Sequence, residues 1–215
     1  VVVVKVDNEQ FISGSAEKLN DRNHPLFYQL NRLELQSIDI SRVELAVDRL
    51  ADSDATLLRS DITAILIELL GKPRITFHDS IARALIKWAE DIGPAAEVGL
   101  KTLQLYTSKK ISPPEHLVKL VAKHNSPKAI PVMISIWENN TVLWDSELVK
   151  FGSAIESPVL ERLSSNQAPL VRAAIKILGQ VGTAQSIPEL RKFLNEKDPE
   201  LSLLAERAIQ QIEQR

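Results

Sequence analysis

A chain of 215 residues with 44% hydrophobic and 25% charged side chains can bury a sizeable core without disulfide or metal staples, and it is too apolar to be read as disordered. Its formal charge of −2 leaves neither half polarised, with 14 basic and 16 acidic side chains in residues 1–110 and 12 of each in 111–215, and without the basic excess that duplex nucleic acid normally demands. It has no cysteine, which excludes disulfides, thiolate zinc sites and thiol nucleophiles, and no apolar run approaches the ~20 residues of a membrane span.

The chain opens on Val1-Val2-Val3-Val4 with neither an initiator Met nor a charged leader, and reads as a fragment or processed form. Residues 1–40 form the least regular region. Val1 to Val6 have strand propensity. Leu26, Leu30 and Leu33 follow at helical spacing, and Leu33, Leu35, Ile38 and Ile40 nearly alternate, which predicts a helix and then an extended piece.

From Ser41 the pattern becomes helical throughout. Ser41 and Glu44 have capping-box spacing, and Val43, Ala46, Val47 and Leu50 form one apolar stripe. A second helix is predicted to end at Gly71 in a left-handed cap, with Pro73 behind it. Ser112 with Glu115 and Ser186 with Glu189 repeat the capping-box spacing. Ser126-Pro127, Ser157-Pro158 and Asp198-Pro199 place a capping side chain directly before proline. These signals divide the chain into many short helices, so that most of its 11 prolines delimit helices instead of breaking them.

The helices recur. The segment 80–93 lies over 169–182 with Arg83 on Arg172, Ala84 on Ala173, Ile86 on Ile175, Lys87 on Lys176 and Gly93 on Gly182. The segment 130–137 lies over 187–194, both beginning Ile-Pro, and it places Asn125 where Gly182 sits as a cap. Residues 198–212 and 142–152 fit the Arg172 helix at offsets of 30 and 27. The unit is two helices in about 30 residues, a length typical of solenoid repeats.

In "IPELRKFLNEKDPELSLLAERAIQQI" and "PLVRAAIKILGQVGTAQSIPELRKFL" the layout resembles HEAT repeats, particularly the short HEAT-like type of phycobilin lyases and many bacterial proteins. The match runs from about Phe77 to the C-terminus, extends plausibly back to Ser41, and fails over 1–40. Asn139-Asn140-Thr141 departs from it by replacing the usual Asp-Pro turn, and Lys72 to Phe77 are irregular. The resemblance implies an all-α fold: a right-handed α-solenoid of about five helix pairs over 41–215, with the second helix of each pair on the concave side. The polar last helix, with Gln210, Gln211, Glu213, Gln214 and Arg215, would serve as its cap.

On those second helices Ile81, Leu85, Trp88 and Ile92 are expected to face the core, with Arg83, Lys87 and Glu90 outward; Val171, Ala174, Ile175, Leu178 and Val181 are the expected buried counterparts, with Arg172 and Lys176 outward. Across repeats one row reads Arg83, Glu115, Asp145 or its neighbour, then Arg172, and its alternating signs suggest a ladder of ion pairs. The next reads Lys87, Lys119, Val149, Lys176. A solvated face is the default reading of that basic strip, and a concave strip that meets an acidic partner is the functional one. Arg83, Lys87, Lys119, Arg172 and Lys176 are therefore the candidate partner-binding residues. Trp88, Trp137 and Trp144 are expected to pack within repeats, with an exposed aromatic anchor for a peptide as the alternative.

No catalytic, cofactor or metal residue is assigned. His24, His78, His116 and His124 lack HExxH or HxxxH spacing, and no nucleophile elbow, P-loop or dinucleotide fingerprint occurs. The leading expectation is a non-catalytic scaffold binding a protein or peptide, in a soluble and preferentially cytoplasmic setting. The resemblance also keeps open an enzyme on a HEAT-like scaffold. That enzyme would be a bilin lyase or an alkylpurine DNA glycosylase using Trp88, Lys87 and Asp145. A regulatory module of a larger enzyme is the remaining reading.

Overall fold

The computed structural model describes residues 16–215, and every regular element among them is helical. Val1 to Val6, read above as strand-prone, lie outside the described residues. The contacts divide the chain into two compact units: Val1–Thr102 with Pro114–Leu120, and Leu103–Pro113 with Val121–Arg215.

In the first unit α1 (Phe27–Glu34) packs on α2 (Ile40–Asp52), and α4 (His78–Trp88) packs on both α2 and α3 (Arg59–Leu70). The stripe of α2 is buried as its spacing requires: Val43, Ala46, Val47 and Leu50 are essentially inaccessible. Ile81, Leu85 and Trp88 of α4 are likewise buried, and the Trp88 indole N–H donates to the Leu50 carbonyl at 2.8 Å. The helix pairs are thus Phe27–Glu34 with Ile40–Asp52 and Arg59–Leu70 with His78–Trp88. The region 1–40 therefore supplies a full partner helix to the first pair.

Local punctuation differs from the sequence reading at several points. Residues 35–39 form a helical exit and a turn, not an extended piece, and Asp39 caps α2 through the Ser41 N–H at 2.9 Å, displacing the Ser41/Glu44 box. A carboxylate two residues upstream of Ser41 satisfies the orphan donors of the first turn, so the start shifts. Gly71 ends α3 with φ −87°, a right-handed conformation; Val98 Cγ1 lies only 3.3 Å from where its Cβ would be, so close approach favours glycine there. Gly93 opens α5 (Gly93–Ser108) instead of closing a helix, and α6 follows at Glu115–His124. Asn125 does take the left-handed φ of 55° expected of it.

In the second unit α8 (Thr141–Val149) packs on α7 (Ile130–Asn139) and on α10 (Ala168–Val181), and α10 packs on α9 (Glu156–Glu161) and on α12 (Pro199–Glu213). The short α11 (Ile187–Arg191), extended by a 3₁₀ turn over Lys192–Asn195, completes the last pair with α12. Each aligned segment of the sequence falls on the matching helix: 142–152, 169–182 and 198–212 on α8, α10 and α12, and 130–137 and 187–194 on α7 and α11. Asp198 caps α12 through the Glu200 N–H at 3.0 Å, as its place before Pro199 predicts. Ser126, Ser157 and Ser186 do not cap: a 3₁₀ turn precedes α7, α9 and α11, and moves each helix start. Gly182 leaves α10 in extended conformation, with φ −65° and ψ 158°.

Candidate interaction face

In the first unit the polar side of α4 is latched to its neighbours. The Arg83 guanidinium donates to Asp52 at 2.8 Å and reaches Asp48 at 3.4 Å, both on α2. One turn on, the Lys87 ammonium lies 3.5 Å from Asp54, a carboxylate 87% exposed. Asp54 is held from the other side by the Tyr28 hydroxyl, which donates to its carbonyl at 2.9 Å. At the start of α4, Asp79 accepts from both the backbone N–H and the Nδ1 of His116, each at 2.8 Å. His116 and Glu115 belong to the α6 segment of the same unit, and Glu115 pairs with Lys119 one turn away, which holds its carboxyl below the usual range.

The second unit repeats the arrangement with different partners. Arg172 of α10 donates to Asp198 at 2.7 Å and lies 3.4 Å from Glu200. The Arg172 hydrogen bond holds the Asp198 carboxyl below its ordinary value, and the cap bond from Glu200 adds to that. One turn on, Lys176 faces Asp145 of α8. Burial pushes the Asp145 carboxyl up, and the Trp137 indole, donating at 2.6 Å, and the charge of Lys176 partly oppose it.

The basic residues therefore separate into two kinds. Arg83 and Arg172 are forked latches to carboxylates 26 to 35 positions away along the chain. Lys87 and Lys119 pair with exposed carboxylates on flexible stems, Asp54 and Glu115. The expected ladder running Arg83, Glu115, Asp145, Arg172 is replaced by pairs to residues outside that row: Arg83 to Asp52, Glu115 to Lys119, Asp145 to Trp137 and Arg172 to Asp198.

All three tryptophans are buried, so none offers an exposed anchor for a peptide, and Trp88 has no free face for a nucleobase. Among the described residues no group of three or more His, Asp or Glu side chains is placed to hold a metal ion.

Sequence reasoning missed the most enclosed polar cluster of the second unit. Glu156, nearly inaccessible at the start of α9, accepts at one carboxylate oxygen from the Thr183 N–H at 2.7 Å, the Thr183 hydroxyl at 3.0 Å and the Ser186 hydroxyl at 2.6 Å. Burial pushes its carboxyl up, and these donors together outweigh that and hold it below the usual range. The only signal in the sequence was a carboxylate immediately before Ser157-Pro158, which reads equally well as helix-start chemistry. Beside this cluster lies a cavity of about 580 Å³, lined by Gly152, Ser153, Gln180, Thr183 and Arg215 among others. The Arg215 guanidinium spans it to the carbonyls of Gln180 and Gly182.

The fold and the latched face define an all-α protein built from packed helix pairs. No protein-family model matches the chain, and a search of curated proteins finds no match either.

Proposed function

We propose that the chain is a HEAT-like α-solenoid and that the lysines of its second helices, Lys87 and Lys119 in the first unit and Lys176 in the second, bind an acidic protein or peptide segment. The observation that carries the architecture is the span of its polar clasps. Arg83 to Asp52, Arg59 to the Trp88 carbonyl, His116 to Asp79, Arg162 to Glu138, Arg172 to Asp198, Thr183 to Glu156 and Arg215 to Gly182 each join residues 24 to 37 positions apart. That is roughly one repeat each time, as expected where each unit touches its neighbours alone.

The same chemistry supports the lysines as the binding groups. An exposed ion pair is worth only about 0–1 kcal/mol, so a partner's carboxylate can take the place of Asp54 or Glu115 at little cost. The arginine latches are different, because displacing a forked arginine from carboxylates on a packed helix would loosen the stack. Arg83 and Arg172 then act as supports that hold the face, and the lysines as its contacts.

The test is fluorescence anisotropy with labelled poly-glutamate peptides at low and moderate salt. Binding should weaken with salt and be abolished by reversing Lys87, Lys119 and Lys176 to Glu together, with far-ultraviolet helicity unchanged. Equal binding by the reversed protein would leave these lysines as a solvated face.

A further inference from the structure

The C-terminal ends of three helices of the second unit meet at the cavity of about 580 Å³. Val149 ends α8, Gln180 and Val181 end α10, and Ile212 lies in the last turn of α12; all four line it. The last carbonyls of a helix lack intrahelical partners, and its C-terminal pole carries about half a negative charge. The Glu156 carboxylate adds to this field from behind the wall, because it accepts from the N–H and the hydroxyl of Thr183, another lining residue. Three negative poles and a buried carboxylate make the cavity attractive to a cation.

A cation is already seated there. Among the described lining residues Arg215 alone is charged, and its guanidinium donates to the carbonyls of Gln180 and Gly182, the latter at 2.9 Å. Gly182 suits the role: a Cβ there would stand 2.5 Å from the Leu178 carbonyl oxygen and 2.9 Å from the Ser186 Oγ, so any side chain would displace the turn that presents its carbonyl. Arg215 is exposed and held by carbonyls, unlike Arg83 and Arg172, which are held by carboxylates on packed helices. An anion would have to sit against the same negative poles, with the guanidinium already turned to carbonyls.

The size and walls fit the same chemistry. Ligand pockets run to roughly 300–1,000 Å³ and are mostly apolar with a few placed polar groups. Here Val149, Val181, Ala184 and Ile212 supply the apolar walls, and the two carbonyls supply the polar end. We propose that this cavity binds an alkylguanidinium, the chemical class of an arginine side chain, and that Arg215 is its internal plug. The ligand's planar fork takes the Gln180 and Gly182 carbonyls in place of Arg215, and its alkyl stem lies on the apolar walls. The inference is independent of the lysine reading, which concerns other residues and a ligand of opposite charge.

The probe is n-butylguanidinium, and the control is n-butylurea, its neutral planar counterpart, both titrated calorimetrically into the full chain at constant ionic strength. A site left open about a tenth of the time loses about tenfold in apparent affinity. Arg215→Ala removes the plug and should therefore bind butylguanidinium about tenfold tighter than the wild type or more, while butylurea binds at least about tenfold more weakly than the cation. Ala184→Trp, added to Arg215→Ala, fills the cavity and should abolish binding. Equal affinity of Arg215→Ala and wild type, equal binding of butylurea, or binding that survives Ala184→Trp overturns the proposal. So does preferential binding of butyrate by the wild type, which makes Arg215 an anion anchor. A measurement on the wild type needs no substitution: saturating butylguanidinium must shift the Gly182 and Thr183 amide resonances and leave those of Ile62 and Leu66 in place, and an unmoved Gly182 overturns the proposal. A blocked Gly-Arg-Gly peptide separates the two sources of the group. Affinity equal to that of butylguanidinium assigns the site to an arginine of a peptide chain, and affinity at least about tenfold lower assigns it to a free guanidine.

Discussion

At the scale of single residues, two carboxylates of the second unit have opposite characters. Glu156 is held ionised by three donors in a nearly inaccessible site. Glu156→Ala removes the acceptor and strands the Thr183 N–H and the Ser186 hydroxyl, at a cost of about 1–3 kcal/mol in urea unfolding. Because its folded pKa is depressed, the contribution is complete above the ordinary Glu range near ~4.3 and fades as pH falls through the lower folded value. Glu156→Gln should therefore flatten the acid limb of a stability–pH curve measured from neutrality downward. Asp145 behaves in the opposite sense. Its carboxyl is raised by burial, so its ionised form is penalised in the fold at neutral pH. Asp145→Asn keeps an acceptor for the Trp137 indole, and its melting temperature at pH 7 should be equal to or above that of the wild type. The Glu156 cluster was not legible in the sequence, because its partners lie 27 and 30 residues away and nothing local distinguishes it from a first-turn acid.

At the scale of elements, the helix–helix contacts explain residues that local rules misread. Gly179 lies in the last turn of α10, two residues before its end, where glycine is unfavourable by propensity. A Cβ there would stand 3.1 Å from the Ala208 Cα and 3.2 Å from the Ala208 Cβ on α12, so glycine sets the closeness of the two helices. Gly179→Ala should cost about 1–3 kcal/mol by forcing them apart, read as a lower urea midpoint with the slope unchanged. Helix existence and apolar stripes were legible because they depend on spacing alone. Helix starts were less so. At α2, Asp39 takes the capping role from Ser41, and before α7, α9 and α11 a 3₁₀ turn takes the place of a serine cap, since several nearby groups can satisfy the same orphan N–H groups.

At the scale of the whole molecule, the proposed solenoid has a thermodynamic consequence. Stability in a repeat array is nearly a sum of local terms, so damage in one unit spreads little beyond its neighbours. Leu66 is fully buried in α3, and Leu66→Ala should cost about 2–5 kcal/mol locally. Hydrogen exchange should then accelerate in Arg59–Leu70 and His78–Trp88 and stay unchanged in Ala168–Val181. Uniform acceleration along the chain would instead indicate a single cooperative core. The sequence by itself determined that the chain from Ser41 onward is helical and which stripes are buried on α2, α4 and α10. Those properties follow from periodicity, which the backbone imposes regardless of neighbours. The tertiary structure decided what the polar side chains do. It tied Arg83 and Arg172 to acids 31 and 26 positions away, left Lys87 and Lys119 on exposed carboxylates, closed the tryptophans inside and exposed Leu26 and Leu33. Such pairings are set by distance between helices, and residues two dozen or more positions apart carry no local mark of who will be their partner.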